Sequence, residues 1–163
     1  MKKIFAILIA VLFLVSCSAK YDGDPFLPFA GEIQTRVTLD MGGDISEFVY
    51  WSESDKIEFF KPNELSGYTL CRENGVFYLK YDSLALAVSE PSARVLLLCE
   101  SVLAPHSATS ISAGRGESGA FTVVKTKSCE YTFSQDGIPV SVQGTYGKDV
   151  FKMTLSDFKV ISK

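Results

Sequence analysis

Polar and apolar residues alternate one for one through much of this 163-residue chain, and period two is the mark of a half-buried β-strand. The clearest case runs over 32–40. Ile33, Thr35, Val37 and Leu39 share one face there, and Glu32, Gln34, Arg36, Thr38 and Asp40 share the other. Met41-Gly42-Gly43-Asp44 predicts a hairpin turn, because paired glycines supply the positive φ of a tight reversal. Strands are expected over 45–51, 56–60, 67–72 and 76–81, with turns at Ser52-Glu53-Ser54-Asp55 and Glu73-Asn74-Gly75. Alternation returns over 121–126, 130–134, 139–143 and 151–156, with a last short strand at 158–161.

The period changes once. Ser89-Glu90-Pro91 sets a capping residue and an early proline ahead of an apolar run over 93–103. Val95, Leu98, Cys99, Val102 and Leu103 follow the i, i+3, i+4, i+7, i+8 stripe of an amphipathic helix, expected over 91–103 with Pro105 beyond its end. That spacing turns Val95, Leu98, Cys99 and Val102 inward and sets Leu97 with Arg94 and Ser101 on the polar side. The small-residue stretch 107–119 reads as a loop able to act as a flap, with Leu96 and Leu97 lining a cavity mouth beneath it. The expected fold is therefore α+β and mostly β. It is a meander of about nine antiparallel strands with one main helix.

An apolar content of 47% and an aromatic content of 12% allow a real core and exclude disorder over most of the chain. The formal charge of −3 argues against nucleic acid, which needs a basic stripe to neutralise phosphates. Cys71, Cys99 and Cys129 lack C-x-x-C spacing and sit in or beside apolar segments. They read as small buried thiols, with one disulfide among them left open.

Catalytic chemistry finds little support. Gly116-Glu117-Ser118-Gly119-Ala120 misses the nucleophile elbow G-x-S-x-G at its last position. The only histidine, His106, precedes that serine, and beside a helix end it reads as a C-terminal cation or a solvated loop residue. No set of His and Cys has zinc spacing. No glycine-rich phosphate loop joins a strand to a helix. No catalytic residue, metal site or cofactor is assigned. The aromatics carry more. Phe48, Tyr50, Trp51, Phe59, Phe60, Tyr68, Phe77, Tyr78 and Tyr81 all fall in the first meander, either as ordinary strand-filling residues or as the wall of an apolar cavity between sheet and helix.

The N-terminus supplies an address. Met1-Lys2-Lys3 precedes an unbroken apolar run over 4–15, too short for a spanning helix of about 20 residues and of the form of a secretory signal peptide. Leu14-Val15-Ser16-Cys17 resembles a bacterial lipobox. The resemblance implies cleavage before Cys17, a diacylglycerol on its thiol and palmitate in the finished anchor. The expected organisation is a signal peptide over 1–16, a lipidated polar tether over 17–28 and a single domain over 29–163. The protein is then held on the extracytoplasmic face of the cell membrane.

The order of elements, with Lys61-Pro62-Asn63-Glu64-Leu65-Ser66-Gly67-Tyr68, the strand Gly75-Val76-Phe77-Tyr78-Leu79-Lys80-Tyr81, a helix, and late strands ending in Phe151-Lys152-Met153-Thr154-Leu155-Ser156-Asp157-Phe158, resembles the LolA/LolB-like lipoprotein-carrier superfamily. In particular it is similar to small lipoproteins of that type from Gram-positive anaerobes. The resemblance covers about 29–161. It implies a curved half-barrel with a helix on its concave face and an apolar cavity between them, here with one helix where carriers have several. The candidate cavity residues are Tyr50, Phe59, Tyr68, Phe77, Leu97 and Leu98. The expected function is non-catalytic binding of a lipid or other apolar ligand. A scaffold for a cell-envelope or spore-envelope protein, and a carbohydrate-binding module, are the alternatives.

Overall fold

A computed structural model describes residues 23–116 and 119–161. The signal-like run, the lipobox with Cys17, the first part of the expected tether, and Glu117-Ser118 of the near-elbow lie outside the described residues. Eleven strands form one open antiparallel sheet. They are β1 (Glu32–Met41), β2 (Asp44–Trp51), β3 (Lys56–Lys61), β4 (Thr69–Glu73), β5 (Val76–Tyr81), β6 (Leu84–Val88), β7 (Ser110–Gly116), β8 (Gly119–Lys125), β9 (Cys129–Ser134), β10 (Pro139–Tyr146) and β11 (Asp149–Ile161). The helix α1 (Arg94–Val102) follows a 3-10 turn at Glu90–Ala93.

The strand order is β6-β5-β4-β3-β2-β1-β11-β10-β9-β8-β7. Two meanders are therefore sewn together at the centre by the pairing of β1 with β11, where Val37 faces Leu155 and Leu39 faces Met153. The consequence is topological. β6 and β7 are the two edges, yet they are consecutive in the chain, so the segment between them must cross the whole width of the sheet. The helix lies in that crossing. Its Leu96, Leu98, Cys99 and Val102 enter one buried cluster with Ile33, Val37, Phe48, Tyr50, Ile57, Val142, Phe151 and Met153 from the sheet.

Cross-strand partners share a face, so the register identifies the inner one. Thr35, Tyr50 and Ile57 line up there, as do Val37, Phe48 and Phe59. The outer face is polar and laced with cation–π contacts. Lys56 lies 4.1 Å above Trp51, and Arg36 lies 5.0 Å from Phe60.

Three expectations need correction, and one strand is additional to those expected. The stretch 107–119 is no flap: Ser110–Gly116 is an edge strand paired to β8 along its length, with Phe121 covering Gly114. Residues 84–88 form β6, which lacks polar alternation because Leu-Ala-Leu-Ala-Val is exposed on both faces. The strands expected at 151–156 and 158–161 are one strand, β11, bulged at Asp157, whose φ is 50°. The bulge leaves Thr35 to donate its hydroxyl to the Ser156 carbonyl at 2.9 Å. Finally, the folded body reaches back before 29. Phe26 and Phe29 are buried against Tyr131, Phe133 and Phe158, so the boundary expected at 28/29 falls inside the short 3-10 turn Leu27–Phe29.

Candidate functional site

The inner face does not end where the helix stops covering it. Following the register outward from the core, Ile57 pairs with Leu70, Leu70 with Leu79, and Leu79 with Leu86. On the same face Phe77 pairs with Val88, and Tyr81 with Leu84. Leu70 is buried and Leu79 half-buried, while Leu86 is 64% exposed. Tyr81 and Leu84 are 48% and 73% exposed. The apolar interior thus runs out into solvent as a ledge on the last two strands. Tyr68 extends it, since its ring stacks on Tyr81 with centroids 4.7 Å apart.

A tight turn and a cross-strand ion pair join β4 to β5 just before this ledge. Asn74, at φ 51°, and Gly75, at φ 80°, form the turn that returns β4 into β5. On the outer face Lys80 and Glu73 bond at 2.5 Å across the β4–β5 pair, and Cys71 lies buried next to Glu73. β6 itself carries no charge and no proline, unlike most edge strands, which use both to discourage pairing.

The six residues of the expected cavity separate in the structure. Tyr68 and Phe77 are half-buried on the inner face beside the ledge. Tyr50, Phe59 and Leu98 are buried in the core, Leu98 from the helix and the other two from the sheet. Leu97 is half-buried on the far flank of α1, in a small open hollow with Glu90, Pro91, Arg94 and Tyr146. Leu96, expected at a cavity mouth, is buried outright. The residues that sequence reasoning missed are Leu84 and Leu86. Five consecutive small or aliphatic residues between two predicted elements were the only available signal.

Helix α1 is held over the core at both ends. Arg94, in its first turn, bonds the carboxylate of Asp149 and donates to the Tyr146 carbonyl at 3.1 Å. Toward its other end Glu100 meets Arg72 of β4 at 3.2 Å, and the same guanidinium bonds Asp55 at 2.7 Å. Burial raises the Glu100 carboxyl above the ordinary range against the downward pull of Arg72, and Asp55 adds to the rise. Its second oxygen, Oε1, is buried with no hydrogen-bond partner. Tyr50 and Cys99 lie in the same region, and burial pushes both of their pKa values up. The expected capping by Ser89 is by backbone only. Its carbonyl accepts from Ser92 and Ala93, and its hydroxyl caps nothing.

His106 packs edge-on to Phe26 with centroids 5.6 Å apart and lies 5.8 Å from Tyr131, its Nε2 buried and unpartnered. It is a member of the aromatic cluster, not a solvated loop residue. Cys71, Cys99 and Cys129 are all free and buried. Among the described residues no group of three His, Cys, Asp or Glu side chains is placed to hold a metal ion, and no helix is long and apolar enough to cross a membrane.

No family profile matches the chain, and no curated protein matches it. Solved structures do. The lipoprotein LppX of Mycobacterium tuberculosis matches with a TM-score of 0.45 and 11% identity over 82% of this chain and 89% of that one. An uncharacterised conserved protein of Thermus thermophilus matches at 0.43 and 12% over 83% and 82%. A LolA superfamily protein of Nitrosomonas europaea matches at 0.39 and 9% over 84% and 89%.

Proposed function

We propose that this protein is a lipid-anchored extracytoplasmic lipoprotein, tethered through Cys17, that binds an acyl chain or similar apolar ligand along the inner-face ledge. One observation carries the binding reading: the core face continues onto β5 and β6 with Tyr81, Leu84 and Leu86 left uncovered. Covering a fully exposed leucine is worth about 1.5–3 kcal/mol, so a ligand that spans these side chains gains several kcal/mol before ordering costs. The ligand class follows from the lining. The inner-face ledge residues of β5 and β6 offer hydrocarbon and one phenol, with neither a charge nor an amide to fix a polar group. A sugar needs hydrogen-bond partners around its ring, which favours an acyl chain over a glycan.

The reading is non-catalytic. Of the ionisable groups under the helix, Arg72 bridges Asp55 and Glu100, and Tyr131 donates to the helix end. The test is direct binding of radiolabelled palmitate to the chain from Ser18 onward. Leu84→Glu/Leu86→Glu should abolish binding and leave the melting temperature within a degree or two, because both side chains are already in water. Unchanged palmitate binding by the double variant contradicts the ledge. Glycan binding without palmitate binding reverses the ligand class. For the anchor, Cys17→Ser should eliminate palmitate labelling in cells, and persistent labelling contradicts lipidation at Cys17.

A further inference from the structure

A second apolar surface lies away from the ledge, at the end of the sheet where the first and last described residues lie. Leu27 and Pro28 near the start of the described chain, Ile138 from the β9–β10 turn, and Phe158 and Val160 near its end line a groove of about 550 Å³. Asp136 is the one charged residue in its lining. The groove is open rather than cored. Leu27 is 69% exposed, Val160 52% and Ile138 45%. Its floor is firm, because Phe158 meets Phe29 of the buried aromatic cluster at 5.7 Å. Single exposed aliphatic side chains are ordinary; three from three separate segments around one groove are not.

Chain length says what covers it. Leu27 lies ten positions after Cys17, and a fully extended chain of that length spans at most about 35 Å. An acylated Cys17 therefore keeps this end of the domain within that reach of the bilayer, while the opposite end is free to stand a strand length farther off. We propose that the groove face is a membrane-seating surface, on which Leu27, Ile138 and Val160 dip into the outer leaflet beside the anchor. The inference rests on the lipidation of Cys17. It adds an orientation. β1 and β11 stand away from the membrane, and the β10–β11 turn at Gly147-Lys148 lies at the far end of β11, roughly 30 Å off at about 3.3 Å per residue. The partner is a zwitterionic lipid surface, since an acidic residue in the groove and a net negative chain offer no attraction to anionic headgroups.

The test uses the full chain, acylated in cells and reconstituted into phosphatidylcholine vesicles containing a brominated lipid. An environment-sensitive fluorophore is attached through Ile138→Cys or Lys148→Cys; Cys71, Cys99 and Cys129 are buried and do not compete. Quenching should be several-fold greater at 138 than at 148. Adding Leu27→Glu/Val160→Glu should reduce quenching at 138 to the level at 148 while the protein still co-sediments with the vesicles. Equal quenching at the two positions with co-sedimentation intact overturns the seating surface alone. A second copy of the chain covering the groove overturns it too, and shows as fluorophore–fluorophore proximity at 138 without lipid quenching. Mass analysis of the N-terminal peptide reads the anchor separately, and an unacylated Cys17 overturns the anchored reading and the seating surface together.

Discussion

At the scale of single residues, the buried polar groups decide how the helix is held. Tyr131 is fully buried and donates its hydroxyl to the Val102 carbonyl at 2.9 Å, one of the carbonyls that a helix C-terminus leaves without an internal partner. Tyr131→Phe keeps the ring and orphans that acceptor, so it should cost about 1–3 kcal/mol in urea unfolding. A loss below a few tenths of a kcal/mol would show that water replaces the hydroxyl. Glu100 predicts a pH dependence. Its carboxyl titrates higher in the folded protein than in the unfolded chain, so the folded state binds the extra proton between those two values. Its contribution to stability is full below the ordinary glutamate pKa of about 4.3 and is lost as pH rises through the raised value. Glu100→Gln should flatten that fall, measured as urea midpoints across a pH series. An unchanged slope would assign the dependence to other groups.

Elements show which patterns can be read without the fold. Strand β1 and helix α1 were legible because one face of each meets the core and the other meets water, so burial writes its period into the sequence. Edge strands β6 and β7 were not. Their side chains are mostly exposed on both faces, and no alternation is required of a strand that water surrounds. The helix offers a clean contrast of neighbours. Leu98 is buried and Leu97 lies on the flank, so Leu98→Glu should unfold the domain by placing an unpaired carboxylate in the core, whereas Leu97→Glu should shift the melting temperature only slightly. Equal stability of the two variants would put the helix in a different rotation. In the sheet, a Cβ on Gly144 would run into the Ser128 carbonyl oxygen and lie 3.1 Å from the Cys129 Cα. Backbone cannot swing aside as a side chain can, so Gly144→Ala should destabilise by about 1–3 kcal/mol. Gly114→Ala meets only the Phe121 ring and should cost less.

For the whole molecule, the class was legible and the topology only in part. Alternation and one change of period imply a mostly β domain with a helix on one face, but the joining of the two meanders by β1 against β11 depends on pairing between segments far apart in sequence, which no local pattern records. The candidate site shows the same division. Tyr68 and Phe77 could be named because aromatics cluster in the first meander, yet the same clustering also marked Tyr50 and Phe59, which are buried in the core. What separates ledge from core is the width of the sheet relative to one nine-residue helix, a property of the assembled fold. The central claim is that the uncovered inner face on β5 and β6 takes an acyl chain. Amide hydrogen exchange with and without palmitate tests it most directly. Slowed exchange confined to 77–88 is the predicted result. Unchanged exchange there at saturating palmitate, with or without protection elsewhere in the sheet, would contradict the claim.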